Sequence, residues 1–182
     1  MFAKRGYAAA SIEEIVARAR VSRSTFYEFF ATKEDCLLAV FWKGSERLLA
    51  ALREVAASEL PLEVKVRTGV ERFIETLASD PAMAQIVLIE AVGAGERVEQ
   101  ARAQVRGLFT EVIETQLRDV PFWRERPAHE SEIAAMATMA ALAEPVGHLV
   151  ATARLDEWRT LTEPLARYAL RALGPDLIEA PE

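Results

Sequence analysis

The sequence predicts an all-α protein, a small helix-turn-helix head joined to a larger helical body. Three observations carry that expectation. Apolar residues recur at spacings of three and four along long stretches rich in Ala, Leu, Glu and Arg, strand-type alternation is almost absent, and the Gly and Pro residues that interrupt the pattern fall between those stretches. A chain of 182 residues can bury its own core, either as one large domain or as a small domain attached to a larger one.

The first short helix is expected over residues 12–19. Ser11 and Glu14 spell a capping box, in which hydroxyl and carboxylate satisfy backbone N–H groups that have no partner in the first turn, and Ile12, Ile15, Val16 and Ala19 follow on one face. Only "ARV" separates it from a second short helix over 23–30. Ser22 caps that helix, and Val21 can staple to Phe26. On a helical wheel Phe26, Phe29 and Phe30 form one apolar arc that anchors the helix, while Arg23, Ser24, Thr25, Tyr27 and Glu28 lie outside it. Two short helices on a tight turn, with hydrogen-bonding side chains offered near the start of the second, describe a helix-turn-helix that suits DNA. Arg23 can reach a guanine edge, Thr25 a thymine methyl or a phosphate, and Lys33 the backbone beside the groove.

The body is expected to run in helices over 34–57, 62–79, 81–92, 96–119, 130–153 and 156–173. Their breaks are Pro61, the pair Asp80 and Pro81, "GAG" at 93–95, "DVPFWRERP" at 119–127, and Gly174 with Pro175. Val98, Ala101, Val105, Leu108 and Val112 stripe one helix, widened by Phe109 and Ile113. The segment 130–153, with "IAAMATMAALA", is apolar around most of its circumference and is expected to be buried on more than one side, between a ligand cavity and a partner subunit. Polar or aromatic residues within apolar helices are the candidates for a sensing pocket: Trp42, Glu90, Phe109, Trp123, Met136, Met139 and His148. An ordinary core or surface position is the competing reading for each.

Composition narrows the function. The chain carries a net charge of −6, with +2 in residues 1–50 and therefore −8 beyond them, as expected of a mildly basic polyanion-binding head on an acidic body. Cys36 is the single cysteine, so no disulfide framework exists and a reducing, cytoplasmic setting is expected. His129 and His148 alone cannot furnish a zinc site, and no uninterrupted apolar run of about 18 residues suggests a membrane span. Neither a catalytic constellation nor a cofactor is expected: His148 has no evident Asp or Ser partner, and Glu90 has no carboxylate partner by spacing.

The segment "SIEEIVARARVSRSTFYEFFATKEDCL" resembles the DNA-binding head of the TetR family of bacterial transcriptional regulators. Ser11, Ile15, Ala19, Val21, Ser22, Thr25, Tyr27, Phe30, Lys33 and Glu34 match the family pattern. The resemblance implies a DNA-binding domain over 1–37, with Ser11, Arg23, Ser24, Thr25, Tyr27, Glu28 and Lys33 at the DNA, and a ligand-sensing and dimerisation domain over 38–182. It further implies a homodimer built from the last two helices, with Leu142, Val146, Leu161, Leu165 and Tyr168 as contacts. Such a dimer would be a repressor on a near-palindromic operator, released by an apolar or amphipathic small molecule. Departures from the pattern carry their own expectations. Arg20 replaces the turn Gly, so it must take the turn conformation or shift the turn; Ser24 stands for Gly, and Phe29 for His or Tyr. Residues 2–5 supply at most the final turn of the family's first helix, so Phe26 and Phe30 are expected to lose packing there. The alternative is a helical protein–protein module with a vestigial head.

Overall fold

The structure is a computed structural model that describes residues 1–118 and 120–174. Asp119, in one expected break, and the segment 175–182, including Pro175, lie outside the described residues. Among the described residues every regular element is helical. The head comprises α1 (Phe2–Arg5), α2 (Ile12–Ala19) and α3 (Arg23–Phe29). The body is built from α4 (Lys33–Ala56), α5 (Leu62–Ser79), α6 (Pro81–Gln85), α7 (Glu96–Leu117), α8 (Pro121–Arg124), α9 (Ala128–Ala151) and α10 (Arg159–Leu173).

Capping chemistry sets the starts of the head helices. Ser11 Oγ accepts from the Glu14 amide at 3.2 Å while Glu14 Oε2 accepts from the Ser11 amide at 3.0 Å. Ser22 Oγ accepts from the Thr25 amide at 3.0 Å. Thr32 and Asp35 form a second capping box that opens α4. Between α2 and α3, Arg20 adopts φ 57°, ψ 40°, the left-handed conformation that the missing Gly would have supplied. Its amide donates to Ala17 O and the Val21 amide to Val16 O, the paired bonds that close a helix C-terminus.

α4 is continuous across the expected domain division at 37/38 and serves both units. It buries Cys36, Leu37, Phe41 and Leu48, against Ile74 and Leu77 of α5 and Val98 of α7. Each such side chain contributes about 1.5–3 kcal/mol relative to exposure. Gly44 permits the close approach of α4 to the segment after α5: a Cβ there would stand 2.8 Å from Met83 Cγ and Val87 Cγ2. That segment is not the single helix expected over 81–92. α6 is followed by one π-helical stretch, Ile86–Glu90, in which Ala91 N–H reaches back to Ile86 O at 3.0 Å. α8 forms inside the expected break 119–127, with Pro121 at its first turn and the Trp123 indole donating to Leu173 O at 2.6 Å.

Within one protomer α9 buries a single face. It packs on α7 and α10 through Ala135, Thr138, Leu142, Val146 and Leu149, yet Ile133, Met136, Ala137, Ala140, Glu144 and His148 remain exposed. Burial is therefore on one side, the buried residues recurring at three and four so that they share a stripe. By length and composition α9 is apolar enough to cross a membrane, with mean hydropathy 1.4 and a third of its most apolar window buried. Leu142 and Val146 lie on the inward stripe, so both fill the protomer's own core instead of offering a dimer contact. Leu161 and Leu165 pack half-buried against that core, and Tyr168 is 45% exposed.

Candidate nucleic-acid interface and effector cavity

On α3 the outward edge is assembled as the wheel predicts, with Arg23, Ser24, Tyr27 and Glu28 exposed and Thr25 half-buried. Ser22 Oγ lies 2.7 Å from Ser24 Oγ and 2.9 Å from Thr25 Oγ1, so the hydroxyls hold one another at the start of the helix. Arg23 is braced on two sides: one nitrogen is 2.7 Å from Glu13 Oε1 of α2, and another donates to Tyr27 Oη at 3.5 Å. The hydrogen bond to Tyr27, then the Glu13 carboxylate, holds the guanidinium even more firmly in its charged form. Ser11 is occupied as the acceptor of its capping box.

Three expectations for the head need correction. Phe29 is not an anchor: it is 74% exposed, because it ends α3 at the margin of the apolar arc while Phe26 takes the centre. Phe26 keeps its packing and is only 4% exposed, within a core shared with Phe2, Val16 and Leu37. Lys33 is not a free phosphate arm. Its Nζ donates to Tyr7 O at 2.9 Å, Ala8 O at 3.3 Å and Ala10 O at 2.9 Å, and it lies 4.6 Å from the Tyr7 ring. An ammonium has three protons, and all three are engaged in holding the loop between α1 and α2.

The head is joined to the body by polar contacts as well as by α4. Glu90, at the end of the π-helical stretch, accepts the Tyr7 amide at 2.6 Å and the Gln85 side-chain amide at 2.9 Å. It is a strut between body and head and lines neither of the two apolar cavities described below. Arg97 of α7 reaches Glu34 at 3.2 Å and Asp35 at 2.8 Å at the start of α4. Hydrogen bonding from Thr32, then from Arg97, pushes the Asp35 carboxyl below its usual range.

The body holds two apolar cavities. The first lies among α4, α5, α7, α9 and α10, encloses about 650 Å³ with its open mouth included, and is walled by Leu52, Val66, Val70, Phe73, Val112 and Leu142. Lys65 and Gln116 also line it, bonded to each other at 3.0 Å. The second, about 770 Å³ measured the same way, is lined by Phe41, Val87, Leu88 and Phe109, with Arg102 and Arg106 as its charged residues. Phe73 and Met139 belong to both, and the Phe73 and Phe109 rings meet edge to face at 6.4 Å.

Of the sensing candidates, Phe109, Met136 and Met139 come together at the second cavity. The others do not. Trp42 packs edge-on against Phe41, Trp123 is tied to the end of α10, His148 is exposed on α9, and Glu90 is the strut described above. Phe73 and Thr138 were missed. Phe73 carries no signal beyond its apolar period, but Thr138 interrupts "IAAMATMAALA" as a polar residue in an apolar run. Cys36 is buried, and that burial pushes its thiol up, away from nucleophilic character. Among the described residues, no three His, Cys, Asp or Glu side chains gather to hold a metal.

Residues 1–40 match the family model of the bacterial regulatory proteins of the tetR family. That match covers the head, which is therefore similar to the DNA-binding domain of this family. An 80-residue stretch of the chain, 44% of its length, is 31% identical to the HTH-type transcriptional activator FasR of Mycolicibacterium smegmatis, and it spans only 36% of that curated relative. Solved structures share the fold across the chain. The fatty acid degradation regulator FadR from Bacillus halodurans superposes with a TM-score of 0.79 at 22% identity, covering 95% of this chain and 92% of that one. FadR from Bacillus subtilis, in complex with stearoyl-CoA, gives 0.79 at 16% identity with the same coverage. A tetR-family regulatory protein from Rhodococcus RHA1 gives 0.76 at 22%, covering 95% and 90%.

Proposed function

We propose that the protein is a ligand-responsive, DNA-binding transcriptional regulator: a homodimeric repressor released from a near-palindromic operator by a long-chain acyl amphiphile. The carrying observation is the capped α3 with Arg23, Ser24, Thr25, Tyr27 and Glu28 along one outward edge. One such helix reads few base pairs, so two heads about one DNA turn apart are needed, and the exposed apolar side of α9 with Tyr168 of α10 is the surface that a second copy would cover. The acyl reading rests on two apolar cavities in the body and on a solved relative that binds stearoyl-CoA.

Release follows as a population shift. Val87 and Leu88 line the second cavity, and three residues after Val87 Glu90 grips the Tyr7 amide of the head. A ligand that displaces this π-helical stretch moves the strut, and with it the spacing of the two heads. The test is a gel shift with DNA from the region upstream of the protein's own gene. Salt-sensitive binding to a palindrome, weakened by Arg23→Ala and relieved by stearoyl-CoA, is expected. Absence of binding at low salt overturns the regulator reading, and transcription raised by the bound protein overturns repression.

A further inference from the structure

Thr138 is 1% exposed, lines the first cavity, and its Oγ1 has no hydrogen-bond partner. Buried hydroxyls are nearly always bonded, so this one invites an explanation. The wall around it is apolar, and its two polar side chains, Lys65 and Gln116, are bonded to each other, with Lys65 also donating to Ala56 O at 2.8 Å. A water held there needs two to four polar partners, and a single hydroxyl gives it only one. Two other buried hydroxyls, Ser45 Oγ and Thr162 Oγ1, also lack partners but line neither of these two cavities.

We propose that Thr138 reads an oxygen carried part-way along the effector's chain, so that the preferred effector is a hydroxy- or keto-acyl amphiphile rather than a plain saturated one. The inference rests on the acyl reading above and adds its selectivity. A threonine hydroxyl donates to a keto oxygen and exchanges either role with a hydroxyl, so both oxygenated chains satisfy it. A plain methylene chain leaves Thr138 as unpartnered as it is in the empty protein. It therefore still binds, and the oxygenated chain gains the one extra hydrogen bond, a preference of about tenfold.

The experiment is calorimetric titration of the full chain with hexadecanoate and with hexadecanoates carrying a hydroxyl or keto group at successive positions. At least one positional isomer is expected to bind about tenfold more tightly than hexadecanoate. Thr138→Ser, which keeps the hydroxyl, should retain that preference. Thr138→Val, which keeps the shape, should abolish it while leaving hexadecanoate affinity unchanged and raising the melting temperature of the empty protein. Hexadecanoate binding as tightly as every oxygenated isomer, or a preference that survives in Thr138→Val, overturns the inference alone. Binding of none of these acids by protein that still binds DNA overturns this inference, and the acyl effector falls with it only if stearoyl-CoA also fails to release the DNA.

Discussion

Arg20 holds a left-handed backbone at φ 57°, where a side chain crowds its own carbonyl. Arg20→Gly should relieve that crowding and stabilise the protein by about 1 kcal/mol in urea unfolding, without touching the outward edge of α3. Arg23 sits on that edge, held in the free protein by Glu13 at 2.7 Å. Binding to DNA must exchange this exposed pair, which costs little, for a base or phosphate contact. Arg23→Ala should weaken operator affinity by about 1–3 kcal/mol in a gel shift and leave thermal stability nearly unchanged. At this scale the sequence was informative for caps and misleading for Lys33. Ser11, Ser22 and Glu14 act within three residues of themselves, so spacing alone fixes their partners. Lys33 bonds carbonyls 23 to 26 residues away, a distance that no local pattern reports.

At the scale of elements, two contacts between head and body have opposite chemistry. Asp35 opens α4 and meets Arg97 of α7, and its folded-state carboxyl is lowered relative to its unfolded value. Its stabilisation is therefore fully present above the ordinary aspartate range, about pH 4, and is lost as pH falls through the lower folded value. Melting curves from pH 7 to pH 3 should show wild type more stable than Asp35→Ala near neutrality, with the gap shrinking below about pH 4. The π-helical stretch ending at Glu90 is the second contact, and it has one flank on a cavity and its end on the head. Glu90→Ala should leave operator binding in place but raise the stearoyl-CoA concentration needed for release, read as a rightward shift in a gel-shift competition. A π-helical turn has no periodic signature in five residues, which is why 81–92 reads as one helix in sequence.

For the whole molecule the decisive surface is α9. Its outward residues Ile133, Ala137 and Ala140 leave an apolar face on an otherwise acidic body, and such faces mark partners. In the homodimer proposed above, Ala137→Glu, on that face and away from both cavities, should halve the mass seen in sedimentation and weaken operator binding, because the two half-sites of that proposal would no longer be read together. By itself the sequence determined most of the helices, the caps at Ser11 and Ser22, and the outward positions of Arg23, Ser24, Tyr27 and Glu28. These depend on neighbours three or four residues apart, where composition and spacing act directly. Only the tertiary structure decided that Leu142 and Val146 face inward, that Phe29 is left outside, that Lys33 is consumed by the loop, and that Phe73, Thr138 and Met139 share a cavity wall. Period gives a helix its apolar residues but not the side from which another helix arrives, and α9 is apolar on both sides, so the burial of one and exposure of the other had to come from packing.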